Sequence, residues 1–208
     1  TGWSSDMLGI ADYTTIKYYP NGDTAWARRY NGPADFWDVA SDLAVDSSCN
    51  VYVTGYSFGN GTADDYATIK YYSNGDTAWV RRYRGPGNNT DEGHAIALDG
   101  AGNVYVTGQS WGGDTCVWDY ATIKYFPNGD TAWVRRYNGP GNDDRVYAIA
   151  VDRFNNVCIT GESKGSGTGF DYATIKYVET LQGKTIRVPG DQPTIQLGLN
   201  AAHQGDTV

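Results

Sequence analysis

The heptapeptide Asp65-Tyr66-Ala67-Thr68-Ile69-Lys70-Tyr71 indicates a repeat fold, because nearly the same seven residues occur four times in the 208-residue chain. The copies start at Asp12, Asp65, Asp119 and Asp171, so successive starts are 53, 54 and 52 residues apart. Self-similarity at a nearly constant period of this size is typical of solenoids, propellers and other repeat arrays. The sequence therefore predicts a row of similar structural units.

Each copy contains four strand-like segments separated by turn residues. In the second copy these segments are 67–72, 77–83, 94–99 and 104–108. The first two are joined by Asn74-Gly75, a dipeptide typical of a tight β-hairpin. The 27 glycines and 17 tyrosines, with a single methionine, also favour short strands over helices. We therefore predict an all-β chain made of antiparallel four-stranded sheets.

Four antiparallel strands per repeat of this length are the pattern of a β-propeller blade, and an all-β solenoid is the alternative. Segment 95–99 has the smallest side chains, which suits the crowded centre of a radial array. The strand that contains Trp79 suits the outer rim. Trp79 recurs as Trp26 and Trp133, and we expect these three tryptophans to hold neighbouring blades together.

This alignment predicts an incomplete propeller of about three to four blades. Residues 1–30 supply the outer strands of one blade, 39–83 and 93–137 supply two whole blades, and 146–177 supply the inner three strands of another. Closed propellers typically have four to eight blades. We therefore expect strand edges that seek a partner at both ends of the array, and sequence missing before Thr1.

Three motifs recur in a fixed order and support a family resemblance. They are Asp-Tyr-Ala-Thr-Ile-Lys-Tyr at 119–125, Asn-Gly-Asp-Thr-Ala-Trp-Val-Arg-Arg-Tyr-Asn-Gly-Pro-Gly at 128–141, and Asn-Val-Tyr-Val-Thr-Gly at 103–108. Together they resemble the bacterial seven-bladed β-propeller repeats abbreviated SBBP, over residues 1–177. The resemblance implies a secreted or surface-attached bacterial protein, and it brings no catalytic residues.

The repeat stops after Tyr177. Residues 178–184 are predicted to be a linker or the outer strand of the last blade. Segment 194–203 has apolar residues at helical spacing after Pro193, which predicts a short C-terminal amphipathic helix. Residues 185–208 resemble the start and cap of a right-handed parallel β-helix of the pectin-lyase-like type, so a second domain is expected to be cut off there.

The charge and hydropathy of the chain disfavour two classes of partner, nucleic acid and the membrane interior. The formal charge of −8 and the isoelectric point near 4.6 disfavour nucleic acid, because a phosphate backbone rewards lysine and arginine. No apolar run is long enough to cross a bilayer, so membrane insertion is not expected. The first residues lack the features of a signal peptide, and any export signal is expected to be already removed.

No residue set in the sequence predicts catalysis, a cofactor or a metal site. His94 and His203 do not recur, and His94 is expected to be an ordinary strand residue. The acidic clusters at 90–92 and 142–144 lack the regular spacing of a calcium loop and are expected to be solvated. Cys49, Cys116 and Cys158 fall at non-equivalent repeat positions, which predicts unpaired thiols.

The arginine pairs belong to the repeat. In pairs such as Arg81-Arg82, strand alternation puts the two side chains on opposite faces of the sheet. One arginine of each pair is therefore expected to contact a recurring aspartate, such as Asp65 or Asp119, or to stack on a tyrosine.

Non-recurring aromatic residues are the candidate ligand surface. Most aromatic residues recur at fixed strand positions, which favours packing between blades. Trp3, Phe58, Trp111 and Trp118 do not recur and are expected in loops or at the start of the chain. Their flat rings would suit a carbohydrate or a protein partner.

The sequence thus predicts a non-enzymatic extracellular or cell-surface module that acts as a structural scaffold or an adhesive surface. Its expected partners are another protein or further copies of itself joined through unpaired blade edges, with carbohydrate as a further ligand. The alternative is the propeller part of a secreted polysaccharide-active enzyme whose β-helix catalytic domain lies outside this sequence.

Overall fold

The computed structural model describes residues 1–5, 9–112, 117–167 and 169–178. Within these ranges the chain forms fourteen β-strands and no helix, so the predicted all-β class is confirmed. No described segment is a helix long and apolar enough to cross a membrane.

The strands form four antiparallel sheets, which we number as blades 1 to 4 in chain order. Blade 1 contains β1 (Gly2–Ser5), β2 (Ala11–Tyr18) and β3 (Thr24–Tyr30). Blade 2 contains β4 (Asp38–Val45), β5 (Val51–Phe58), β6 (Asp64–Tyr71) and β7 (Thr77–Tyr83). Blade 3 contains β8 (Asp91–Leu98), β9 (Val104–Gly112), β10 (Val117–Tyr125) and β11 (Thr131–Tyr137). Blade 4 contains β12 (Asp144–Val151), β13 (Val157–Lys164) and β14 (Phe170–Tyr177).

The arrangement agrees with the predicted incomplete propeller of two four-stranded and two three-stranded blades. The bounds of β7 are as predicted, whereas β8 starts at Asp91, three residues before the predicted start. Asp91 belongs to the strand because it pairs with Ser110 of β9. β9 is likewise longer than predicted, since it pairs with β10 as far as Gly112.

The strands with the smallest side chains occupy the centre of the array, as predicted. β8 lies against both β4 and β12, the first strands of the neighbouring blades. A direct bond joins two of these inner strands, because the backbone N–H of Ile96 donates to the carboxylate of Asp42 at 3.0 Å.

A buried tyrosine links each of the first three blades to the next. The hydroxyl group of Tyr13 donates to the carbonyl oxygen of Ala67 at 3.1 Å, and that of Tyr66 donates to Ala121 at 3.0 Å. Glycine is required where these hydroxyl groups arrive. A Cβ atom on Gly55 would lie 2.7 Å from the hydroxyl of Tyr13 and 2.0 Å from the carbonyl oxygen of Val39.

The recurring tryptophans also pack between blades, which confirms their predicted role. The ring of Trp26 lies 5.9 Å from that of Tyr71, and Trp79 lies 6.0 Å from Tyr125. Trp133 lies 5.9 Å from Tyr177 of blade 4. Two of the indole N–H groups also bond across the interface, from Trp26 to the carbonyl of Ser73 and from Trp79 to that of Pro127, both at 3.1 Å.

Three predictions fall on residues outside the described ranges. They concern segment 178–184 after Val178, the amphipathic helix at 194–203 and the β-helix start at 185–208. Of the three cysteines, Cys49 and Cys158 are unpaired, as predicted. Cys116 also lies outside the described ranges.

Candidate functional site

The second arginine of each pair is held in a polar network near the end of the outer strand. In blade 2, Arg82 donates to the carboxylate of Asp65 at 2.9 Å and to the carbonyl oxygen of Ser57 at 2.7 Å. It also donates to the hydroxyl of Tyr30, which belongs to blade 1, at 3.3 Å. The guanidinium group therefore ties two strands of its own blade to the preceding blade.

The same network recurs in the next blade. Arg136 donates to Asp119 at 2.7 Å and to the hydroxyl of Tyr83 in blade 2 at 3.3 Å. In blade 1, Arg29 forms the equivalent ion pair with Asp12. The predicted contact between arginine and a recurring aspartate is therefore confirmed.

The first arginine of each pair faces the indole ring of its own strand. The guanidinium carbon of Arg81 lies 5.8 Å from the ring centroid of Trp79, and that of Arg28 lies 6.0 Å from Trp26. Both arginines also donate to a glycine carbonyl in a hairpin of the next blade, at 2.7 Å for Arg28 and 2.6 Å for Arg81. These stacking partners are tryptophans rather than the predicted tyrosines.

The first residue of each inner strand is a buried aspartate. Asp38, Asp91 and Asp144 each accept a bond from a glycine N–H of the preceding loop, at 2.6 to 2.7 Å. Burial raises the pKa of all three carboxyl groups. The prediction of solvated acidic clusters is therefore wrong for Asp91 and Asp144, because these carboxylates close the loop between two blades.

The structure brings together only two of the four predicted ligand-binding aromatics. Trp111 and Trp118 form a perpendicular pair with ring centroids 5.1 Å apart, on adjacent strands of blade 3. Both lie within strands rather than in loops, since β9 and β10 are longer than predicted. Trp3 is 61% exposed on β1 of blade 1, and no ring contact among the described residues joins it to the others.

Phe58 belongs to a second aromatic cluster that the sequence did not reveal. Its ring packs against Phe36 at 5.1 Å, and Phe36 lies 6.3 Å from Trp37. Trp37 is 51% exposed. The two exposed rings come from the loop between β3 and β4, and they are near the same strand end of blade 2 as the Trp pair is in blade 3. We call Phe36, Trp37, Phe58, Trp111 and Trp118 the aromatic rim.

A group of polar residues that do not recur lies between blades 2 and 3, near the same strand ends. The amide of Gln109 donates to the carboxylate of Glu92 at 2.7 Å, and Nε2 of His94 lies 3.7 Å from the same carboxylate. Electrostatic coupling connects Glu92 with Asp64 and Tyr56 of blade 2. We call these five residues the interblade polar group.

Burial shifts the pKa values of three side chains in the interblade polar group. It raises the pKa of Asp64 to about 6, with the negative charge of Glu92 as the second cause. Burial also raises the pKa of Glu92, and it lowers that of His94 because the charged imidazolium loses solvation. Asp64 therefore exchanges its proton in the mildly acidic range. Within the described ranges, no three acidic, histidine or cysteine side chains are grouped so that they could hold a metal ion.

Residues of both the aromatic rim and the interblade polar group occupy positions at which the repeats differ in sequence. The position of Asp64 is occupied by Trp118 in blade 3 and by Phe170 in blade 4. Likewise, Glu92 aligns with Val39 and Arg145. A position that changes its chemistry in every copy does not serve the common packing, and a search for such positions would have found Asp64 and Glu92.

Comparison with known families supports the repeat. The β-propeller repeat family SBBP matches residues 78–114 and 132–167. Each match runs from the outer strand of one blade through the first two strands of the next. The comparison gives no support to the β-helix resemblance of residues 185–208, and no curated protein matches the chain. The segments 78–114 and 132–167 are thus β-propeller repeats of the SBBP kind.

Proposed function

We propose that the chain is a non-enzymatic scaffold and interaction module that acts outside the cell. The observation that carries this proposal is that the recurring charged residues form contacts within and between blades. Each arginine, aspartate and tyrosine of the network around Arg82 is engaged in joining strands or blades, and the same contacts occur around Arg136.

The burial of these groups makes a structural role the favoured one. The side chain of Asp65 is 8% exposed and that of Arg82 is 23% exposed, so the ion pair is largely removed from water. Removing one partner from such a pair leaves an uncompensated charge, which typically costs about 3–5 kcal/mol. A substrate that competed for Arg82 would have to overcome this cost and would loosen the contact with blade 1.

The aromatic rim is the proposed binding surface for a partner. Phe36 and Trp37 are about half exposed, although large apolar side chains favour burial. Tryptophan and phenylalanine are enriched at protein interfaces, and their flat faces also stack on sugar rings. A protein partner is our first expectation and a carbohydrate the second. The proposed location outside the cell is what the resemblance of the sequence to SBBP repeats implies.

The enzymatic alternative can be tested on residues 1–208 with soluble pectin and other polysaccharides, by measuring the release of reducing ends. We expect no release above that of buffer alone. Turnover that survives purification and disappears in Asp64→Asn or His94→Ala would overturn the proposal, because it would assign chemistry to the interblade polar group.

The binding role can be tested with the same polysaccharides immobilised, and with a protein extract from a bacterial cell surface. The variants Trp37→Ala and Trp118→Ala change the aromatic rim, and Phe154→Ala removes an exposed ring on a distant hairpin as a control. The proposal expects retention that both rim variants reduce and the control does not. Equal retention of all four proteins would remove the aromatic rim as a binding surface.

A further inference from the structure

Every blade presents two different faces to its neighbours. On the face towards the following blade, the strand formed by the recurring heptapeptide carries Tyr, Thr and Lys, such as Tyr66 and Lys70 of β6. We call this the tyrosine face. On the face towards the preceding blade, the same strand carries Ala, Ile and Tyr, such as Ile69 and Tyr71, and we call this the alanine face. Inside the array each tyrosine face packs on the alanine face of the next blade.

The contacts between these faces repeat at the first two interfaces. At the interface of blades 2 and 3, Tyr66 donates to the carbonyl of Ala121, and Lys70 donates to the carbonyl of Pro127 at 3.3 Å. At the interface of blades 1 and 2, Lys17 donates to the carbonyl of Ser73 at 3.1 Å in the same way. These acceptors are backbone atoms, so the contact tolerates changes of side chain at the accepting positions.

The tyrosine face of blade 4 is not covered by any described residue. Tyr172 is 97% exposed, whereas its equivalents Tyr13, Tyr66 and Tyr120 are completely buried. An open groove of about 460 Å³ lies beside it and includes Thr160 and Gly161.

In blade 2, the equivalent surface is covered by the inner strand of the next blade. There the backbone of Gly93, on the inner strand of blade 3, lies against Thr54 and Gly55. A Cβ atom on Gly93 would come within 2.9 Å of the hydroxyl oxygen of Thr54 and of the carbonyl oxygen of Gly55. The groove on blade 4 therefore has the shape of a surface that packs against another blade.

At the other end of the array, the alanine face of blade 1 is also uncovered within the described residues. Ile16 is 40% exposed and Tyr18 is 58% exposed, whereas the equivalent Ile69 and Tyr71 are 1% and 2% exposed. A smaller groove of about 280 Å³ lies on this face, beside Trp3 and Thr14. The two ends of the array are thus the two halves of a contact that the chain already makes internally.

We propose that residues 1–208 associate head to tail, with the tyrosine face of blade 4 in one copy packed on the alanine face of blade 1 in a second copy. By equivalence with the first two internal interfaces, Tyr172 donates to the carbonyl oxygen of Thr14 in the second copy. Lys176 donates to the carbonyl oxygen of Pro20, which aligns with Ser73 and Pro127.

This association uses blade faces, whereas the expectation from the sequence placed self-association at strand edges. The contact is heterologous, so it closes into a ring or continues into a longer assembly according to the rotation between copies. It adds a second copy to the partners of the proposed scaffold. A failure of this inference leaves the aromatic rim and the absence of catalysis to be judged by their own assays.

The test is the molar mass of residues 1–208 measured by light scattering after size exclusion, up to about 100 μM, where contacts of micromolar Kd are occupied. We expect dimers or larger species whose fraction rises with concentration. Tyr172→Ala and Ile16→Arg should each weaken association by about tenfold or more, as the loss of a central interface side chain does. Both positions are exposed, so circular dichroism and the melting temperature should show unchanged folding. Tyr18→Ser provides a second change on the alanine face, and Phe154→Ala is the control.

A mixture of two variants gives the decisive result. The Tyr172→Ala copy retains an intact alanine face, and the Ile16→Arg copy retains an intact tyrosine face. At a protein concentration near the Kd of the parent, each variant alone should be largely monomeric, whereas an equimolar mixture should form a one-to-one dimer. A monomeric parent protein would overturn the inference, including the case in which residues 179–208 of the same chain cover the face. A parent dimer that Tyr172→Ala disrupts and Ile16→Arg does not would also overturn it, because that pattern indicates a symmetric contact.

Discussion

The hydroxyl group of Tyr66 donates a hydrogen bond to the carbonyl oxygen of Ala121 at 3.0 Å, and this bond joins blade 2 to blade 3. Tyr13 makes the equivalent bond to Ala67 one blade earlier. One blade later, Tyr120 donates instead to the carbonyl of Glu162, at 3.1 Å. All three rings are completely buried. The recurring tyrosine therefore contributes a hydrogen bond and a buried ring to each of the three interfaces between blades.

Replacing Trp79 with alanine should lower the free energy of unfolding by about 3–5 kcal/mol, the usual cost of truncating a buried aromatic residue. The change removes the ring contact with Tyr125 and the bond to Pro127. Denaturation by urea measures the effect. Trp37→Ala is the matched control, and its exposed ring predicts a change within about 0.5 kcal/mol. Equal melting of Trp79→Ala and the parent protein would show that the assigned packing is wrong.

Replacing Gly55 with alanine should destabilise the chain by about 1–3 kcal/mol or more, because the new methyl group overlaps the backbone of Val39 and the hydroxyl of Tyr13. Gly2 occupies the same repeat position in blade 1, and a Cβ atom there meets nothing within 4 Å. Gly2→Ala should therefore leave stability unchanged. Thermal unfolding of the two variants measures the difference, and similar losses for both would contradict the proposed close approach.

The carboxyl group of Asp64 should make stability depend on pH. Its pKa is raised to about 6 in the folded chain, from an ordinary value of 3.8. Between these values the folded state binds more protons than the unfolded state, so the contribution of Asp64 falls as pH rises from about 4 to about 7. Besides burial, the charges of Glu92, Asp65 and Asp38 raise the pKa of this carboxyl and that of Arg82 lowers it, and the carboxyl in turn raises the pKa of Tyr56.

Asp64→Asn isolates this effect from Glu92 and His94, whose pKa values also shift. Relative to the parent protein, the variant should gain stability as pH rises from about 4 to about 7, by at most about 3 kcal/mol for a shift of this size. Urea denaturation at both pH values provides the comparison. A difference between the two proteins that is independent of pH would mean that Asp64 titrates normally.

The repeat made most of the fold predictable from sequence. The position of β7 was correct to the residue, since its turns and its alternation recur in three copies. The start of β8 was missed because Asp91 resembles a loop residue, and only the structure shows its carboxylate bonded to the N–H of Gly85. The bond spans only six residues, and the recurrence of its aspartate at Asp38 and Asp144 was the signal that the sequence offered.

The candidate site was less predictable. Trp111 and Trp118 are candidates from the sequence because they do not recur, but their pairing depends on the register of β9 and β10. Phe36 and Trp37 occur in a single loop and follow no periodicity. The shifted pKa of Asp64 depends on burial between two blades and on Glu92, which is 28 residues away along the chain. Burial of that kind is set by the packing of blades.

The thermal stability of four variants at one repeat position shows directly whether the recurring tyrosine holds neighbouring blades together. Tyr13, Tyr66, Tyr120 and Tyr172 are each replaced by alanine, and unfolding is followed at a low protein concentration at which copies do not associate. We expect a loss of about 3–5 kcal/mol for the first three tyrosines, which are buried between blades, and no loss for the exposed Tyr172. Equal effects at all four positions, or no effect at Tyr66, would contradict the claim that this residue holds neighbouring blades together.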